Sequence, residues 1–206
     1  MCVTFGILPI YLFLSKYSQN TNFKIILALG FSPVLLAILN VIIILMSIES
    51  SSLKYLVLIV PLLITRNHFR RVKIRIDSRL WQVLGLSLLI GGVYCVFAFP
   101  NVFYVSQQPY ADVEFNLGLI QGLKHHFLPH DPYWRTEGFM IYHFLGNIFY
   151  AGLSNFTGLN VYTTYELGNV FLALNLFTIF GLIGKRKKIL GNLIIPLVFF
   201  NFFVCQ

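Results

Sequence analysis

Residues 25–48 run for 24 positions without a charged side chain, and residues 80–99 do the same over 20. A hydrocarbon core about 30 Å thick takes about 20 apolar residues in helical form, so each run has the length of a membrane span. Few folds suit such runs, because backbone polar groups surrounded by lipid must bond within their own segment. The expected fold class is therefore all-α: a polytopic transmembrane helical bundle with an external loop carrying interfacial or re-entrant helices.

The rest of the chain extends the pattern. Cys2–Ser15 and Leu53–Thr65 are shorter, at 14 and 13 residues, and read as tilted partners, re-entrant pieces or spans that thin the local bilayer. Val161–Ile183 is a further span with Glu166 near one end, and Ile189–Cys205 begins another. That last run meets Gln206 with no polar tail, from which a longer polytopic protein is expected. The first run has neither a positively charged leader nor a small-residue cleavage site and is expected to stay in the membrane. Composition agrees: 57% hydrophobic residues, 11% charged residues and a mean hydropathy of +0.77 lie outside the range of a soluble domain. Cys2, Cys95 and Cys205 are far apart within apolar runs, so neither a disulfide framework nor a CxxC metal site is indicated.

A net charge of +8 raises nucleic acid as a partner, but the basic residues lie in short runs beside apolar segments, with no basic face interleaved with aromatics. No nucleic acid is expected, and the charge sets topology instead. Lys16 and Lys24 form one group; Arg66, Arg70, Arg71, Lys73, Arg75 and Arg79 a second; Lys185, Arg186, Lys187 and Lys188 a third. Together they hold 12 of the 15 basic residues. With these loops cytoplasmic, the spans alternate only if 101–160 lies outside. Three regions follow: leading transmembrane helices over 1–100 with a cytoplasmic basic loop at 66–79, an external loop over 101–160 with the candidate active site, and further transmembrane helices over 161–206. The acids Glu49, Asp112, Glu114, Asp131 and Glu137 fall outside, Glu166 at the outer edge and Asp77 inside.

The external segment has its own order. From Asp112 to about Phe127, Val113, Leu117 and Ile120 share one helical face with Phe115, Leu119 and Leu123 beside it, which suits a helix lying at the interface. A proline turn follows in Leu128-Pro-His-Asp-Pro-Tyr-Trp134, whose Tyr133 and Trp134 fit an aromatic belt. Gly138–Leu153 then reads as a short re-entrant or interfacial helix in which His143 and Asn147 share a face at i, i+4.

The ordered set Ala-Asp-x-x-Phe at 111–115, the proline turn, Tyr142-His143, Thr157-Gly-Leu-Asn-Val-Tyr162 and Asn169 resembles bacterial multi-spanning glycosyltransferases of the GT-C fold, over roughly 109–188. The resemblance implies a plasma (inner) membrane enzyme that takes a sugar from a polyprenyl-phosphate donor, with membrane lipid as its surroundings. It matches Asp112 to the family's acidic residue in the first large external loop, Tyr142 and His143 to its Tyr-His pair, and Asn169 to an asparagine in the following helix. Where the family often has His four residues after the acid this chain has Asn116, and where it tends to have Arg near the start of the next span this chain has Glu166.

The chemistry of such a transfer calls for a base to take the acceptor hydroxyl proton and for positive charge near the leaving phosphate. A partly desolvated carboxylate at the lipid–water boundary suits the base, and Asp112 is the candidate catalytic residue. Candidate substrate-binding residues are Glu114, Lys124, His130, Arg135, Tyr142 and His143. A divalent cation, Mg or Mn, is a candidate cofactor, with Asp112 and His143 as its candidate metal ligands. His125, His126, His130 and His143 cluster in this one region, at no known metal spacing.

Plainer roles stand beside each of these. Asp112 suits an N-cap; Glu114, about 200° away around a helix, suits solvent; His125 and His126 suit the negative end of a helix dipole; His130 and Asp131 suit a turn. Tyr142 and His143 suit either interface packing or the lining of a site, and Asn155-Phe-Thr157 matches a glycosylation sequon. A transporter or flippase component, or a non-catalytic membrane protein of the same fold, remains the alternative to the enzyme.

Overall fold

The computed structural model describes residues 2–18, 20–67, 78–98, 111–128 and 145–183. Among the described residues the chain is all-α, with seven helices and no strand: α1 (Cys2–Leu14), α2 (Thr21–Leu45), α3 (Ser51–Thr65), α4 (Ser78–Ala98), α5 (Ala111–Gly122), α6 (Leu145–Thr157) and α7 (Val161–Ile183). The expected span at Ile189–Cys205 lies outside the described residues.

Two helices, α2 and α7, are long and apolar enough to cross a membrane. At about 1.5 Å per residue their 25 and 23 residues reach roughly 37 and 34 Å. Both begin at asparagine caps. The Asn20 side chain accepts from the Phe23 amide at 3.2 Å, and the Asn160 side chain from the Thr163 amide at 2.7 Å, each filling a donor that the first turn leaves open. The Asn20 cap starts α2 at Thr21, one turn ahead of the apolar run. Lys24, expected in a cytoplasmic loop, is consequently a buried residue of α2, its ammonium 4.8 Å from the centre of the Tyr11 ring.

Pro33 stands inside α2 and has no amide to offer the carbonyl of Leu29. Two side chains take up that carbonyl instead: the Ser32 hydroxyl donates to it at 3.1 Å and the Asn175 amide of α7 at 3.4 Å. A proline in one long helix thus creates the acceptor that ties it to the other. Below this tie a second apolar cluster joins Phe177 and Ala173 of α7 to Leu80 and Val83 of α4, with Ile25 and Ile26 of α2 against it.

The larger core cluster forms around α6. Residues Asn147–Ser154 are all buried, and Ile148, Phe149, Leu153 and Phe156 belong to one cluster with Leu36, Leu39 and Ile43 of α2, Leu58 of α3, Ile120 of α5 and Leu123 just past it. Two glycines set how closely α6 is held. A β-carbon on Gly152 would stand 3.0 Å from the Leu36 carbonyl oxygen, and one on Gly168 would stand 2.6 Å from the Tyr150 ring. The α6 backbone thus lies directly on α2, and the ring of Tyr150 directly on the backbone of α7. Of the helix expected at 138–153 as re-entrant or interfacial, residues 145–153 are observed within α6, which packs against α1, α2, α3, α5 and α7 and runs on to Thr157, while 138–144 lie outside the described residues. The expected helix from 112 to about 127 is shorter, ending at Gly122.

Candidate functional site

Asp112 lies in the first turn of α5, one residue inside the helix and so past the capping position. Glu114 is exposed. One turn beyond Asp112, the Asn116 side-chain oxygen accepts from the Asn147 amide of α6 at 3.0 Å. Asn116 occupies the position where a histidine was the family expectation, and it serves here to tie α5 to α6. His130, Arg135, Tyr142 and His143 lie outside the described residues, as do Asp131 and Glu137.

The other end of α5 is equally fixed. Leu119, Ile120 and Leu123 are buried, and the chain turns at 123–125. The Asn40 amide of α2 donates to the Leu123 carbonyl at 3.3 Å, and the Asn155 amide of α6 donates both to the Lys124 carbonyl at 3.1 Å and to the Asn40 side-chain oxygen at 2.7 Å. Asn155, the acceptor position of the sequon, is therefore a partly buried structural donor. His125 and His126 follow the helix rather than closing it. Both are exposed, and both backbone amides donate to the Gly122 carbonyl at 3.1 and 3.0 Å.

Lys124 is half-buried, and its ammonium is held below the ordinary lysine range, first by burial and then by the charge of Lys54 in the first turn of α3. Lys54 was absent from the sequence candidates because nothing in the chain order links it to Lys124. Ten helical steps separate Asp112 from Gly122, a rise of about 15 Å. Asp112 and Lys124 thus lie towards opposite ends of α5.

A further polar group sits on the α6–α7 seam. The Tyr150 hydroxyl donates to the Asn169 side-chain oxygen at 2.5 Å, and the Tyr150 and Tyr165 rings lie 5.1 Å apart. Glu166 is buried on the same helix, and its Oε2 has no hydrogen-bond partner among the described residues. Glu166 drew notice in the sequence as an acid near a span end, at the position where the resembled family tends to have Arg.

Among the described residues no group of three His, Cys, Asp or Glu side chains converges to hold a metal ion. His143, one of the two candidate metal ligands, lies outside them. Compared with protein families, with curated proteins and with solved structures, the chain finds no match.

Proposed function

We propose that this chain belongs to a membrane glycosyltransferase that moves a sugar from a polyprenyl-phosphate donor to an acceptor on the outer face. The Asn116–Asn147 hydrogen bond carries the reading. It ties α5, whose first turn holds Asp112, to α6, which follows the Tyr142-His143 pair in the chain.

Membrane embedding is supported by the lengths of α2 and α7 and by large apolar side chains left outward on several helices, among them Phe31, Leu45, Ile64, Trp81 and Leu89. Helix association in lipid gains little from apolar burial and relies on close backbone packing and interhelical hydrogen bonds. The glycine contacts of α6 and the asparagine bonds on either side of it are of that kind.

In the proposed reaction the Asp112 carboxylate takes the proton of the acceptor hydroxyl as its oxygen bonds to the sugar carbon. The bond from that carbon to the phosphate oxygen breaks, and its electron pair leaves with the lipid phosphate. The residues 128–144 supply the charge that meets this phosphate, with Arg135 and His130 as candidates, since Lys124 stands at the far end of α5. Any Mg or Mn ion would be held by Asp112 and His143. The test is Asp112→Asn in the full-length protein, assayed for transfer from a polyprenyl-phosphate sugar in membranes. Transfer falling by at least about a hundredfold is expected of a lost general base; unchanged transfer overturns the role.

Glu166 favours a second reading. A buried carboxyl whose oxygen has no partner among the described residues, in a helix long enough to span, is the kind of group that serves passage of a charged solute. Glu166→Gln abolishing substrate movement across vesicles, with Asp112→Asn silent, would establish a transporter component instead.

A further inference from the structure

Lys24 and Tyr11 are 4% and 8% exposed, and the Lys24 ammonium stands 4.8 Å from the centre of the Tyr11 ring. A charge taken that far out of water needs an opposite charge or several hydrogen bonds to offset its lost hydration. Among the described residues the ring is all that this ammonium meets. The Tyr11 hydroxyl is enclosed and has no hydrogen-bond partner either. Acceptors next to the pair in the chain are already engaged: the Tyr11 carbonyl by the Ser15 hydroxyl, the Asn20 side chain by the Phe23 amide and the Asn20 carbonyl by the Lys24 amide. The first acidic residue of the chain is Glu49, so α1, α2 and the connection between them hold no carboxylate. Of the helices packed on these two, α3 and α6 have none, and α7 has only Glu166. Glu166 lies 11 residues before Phe177, the residue clustered with Ile25 and Ile26, which is about 16 Å along the helix. Lys24 also stands in the first turn of α2, where the helix dipole is positive and a cation is disfavoured.

We propose that Lys24 and Tyr11 hold one small anion, a chloride-sized halide, between α1 and α2. The hydroxyl belongs to the ring over which the ammonium stands, so both donors border one space, and the start of α2 adds the positive end of its dipole. Two donors without a free acceptor suit a ligand that has lone pairs and no hydrogen of its own. Hydrogen phosphate and water would each bring a hydrogen with no acceptor to take it. The enclosure of both side chains favours a single ion over a lipid headgroup. Asn40, which bonds the turn closing α5, is 16 residues further along α2, about 24 Å away. The anion is thus separate from the chemistry assigned to Asp112 and does not depend on it.

The test follows the thermal unfolding midpoint of the full chain in a neutral detergent as sodium chloride replaces sodium gluconate at constant ionic strength, which holds general screening fixed. An ion bound only by the folded chain raises the midpoint along a saturating curve, by about 3 °C or more at ten times the half-saturating concentration. Tyr11→Phe keeps the ring beneath the ammonium and removes only the hydroxyl, and is expected to raise the half-saturating chloride about tenfold. Lys24→Arg should keep the response and Lys24→Gln abolish it. Should Lys24→Gln fail to fold, Tyr11→Phe carries the test by itself. A midpoint indifferent to chloride, a response that survives Lys24→Gln, or a half-saturating concentration that Tyr11→Phe leaves unchanged overturns the site. Sodium phosphate matching chloride at equal ionic strength overturns the halide and assigns an oxyanion in its place.

Discussion

The turn that ends α5 is held by two amide side chains that reach it from different helices. Asn40 caps the Leu123 carbonyl while Asn155 bonds both Asn40 and the Lys124 carbonyl, so removing either leaves a buried acceptor unmatched. Asn40→Ala or Asn155→Ala should each lower stability by about 1–3 kcal/mol, measured by thermal or denaturant unfolding in detergent; the double variant should cost less than the sum, because the two share a bond. With its amide committed inside the fold, Asn155 should also gain no glycan when the chain is made in a glycosylating host, a point that intact mass decides. Lys124 supplies a pH dependence of defined sign. Its folded pKa lies below the ordinary 10.5, so the unfolded chain holds the proton more tightly. The cost is fully present below the folded pKa, and stability rises as pH climbs from there towards the free value. Lys54→Gln should flatten that rise, as followed by unfolding midpoints as pH climbs towards the ordinary 10.5; an unchanged slope would show that the two charges do not interact.

Among the elements, α2 and α7 are coupled by the carbonyl that Pro33 releases. Pro33→Ala restores the backbone donor to Leu29 and makes the Asn175 bond redundant. Asn175→Ala should therefore cost about 1 kcal/mol or more in the parent chain and distinctly less beside Pro33→Ala; equal costs in both backgrounds would break the link. Such ties mark the boundary of what could be read in advance. The run 161–183 carries its own length and polarity and is observed as α7 with those bounds. Helices α1 to α4 likewise begin and end within about a turn of their apolar runs. The short helices α5 and α6 are a different matter, because the burial that fixes their ends comes from neighbours far away in sequence. Asn40 and Asn155 are 115 residues apart, and no local pattern distinguishes a structural asparagine in a bundle from a sequon on a surface. Of the site residues, Asp112 was legible as an acid opening a helix, while the charge of Lys54 bears on Lys124 from 70 residues away in the chain.

For the molecule as a whole, α6 governs the arrangement. In the half of the bundle that holds Leu29 and Asn175, α2 and α7 meet directly; in the other half, Gly152 rests on Leu36 of α2 while Tyr150 rests on Gly168 of α7. Gly152→Leu should destabilise the fold by about 1–3 kcal/mol through overpacking against the Leu36 carbonyl, and should do so far more than Gly146→Leu on the same helix, where a β-carbon meets open space. Unfolding in detergent checks the contrast. The same geometry makes α6 a wedge driven between two arms that are pinned at their opposite end. The angle between the two longest helices is then set by how deeply the wedge sits. Anything that draws α5 and α6 outward, a bound lipid included, would let those arms close, and a pair of spin labels on the arm tips would report the movement as a shortened distance.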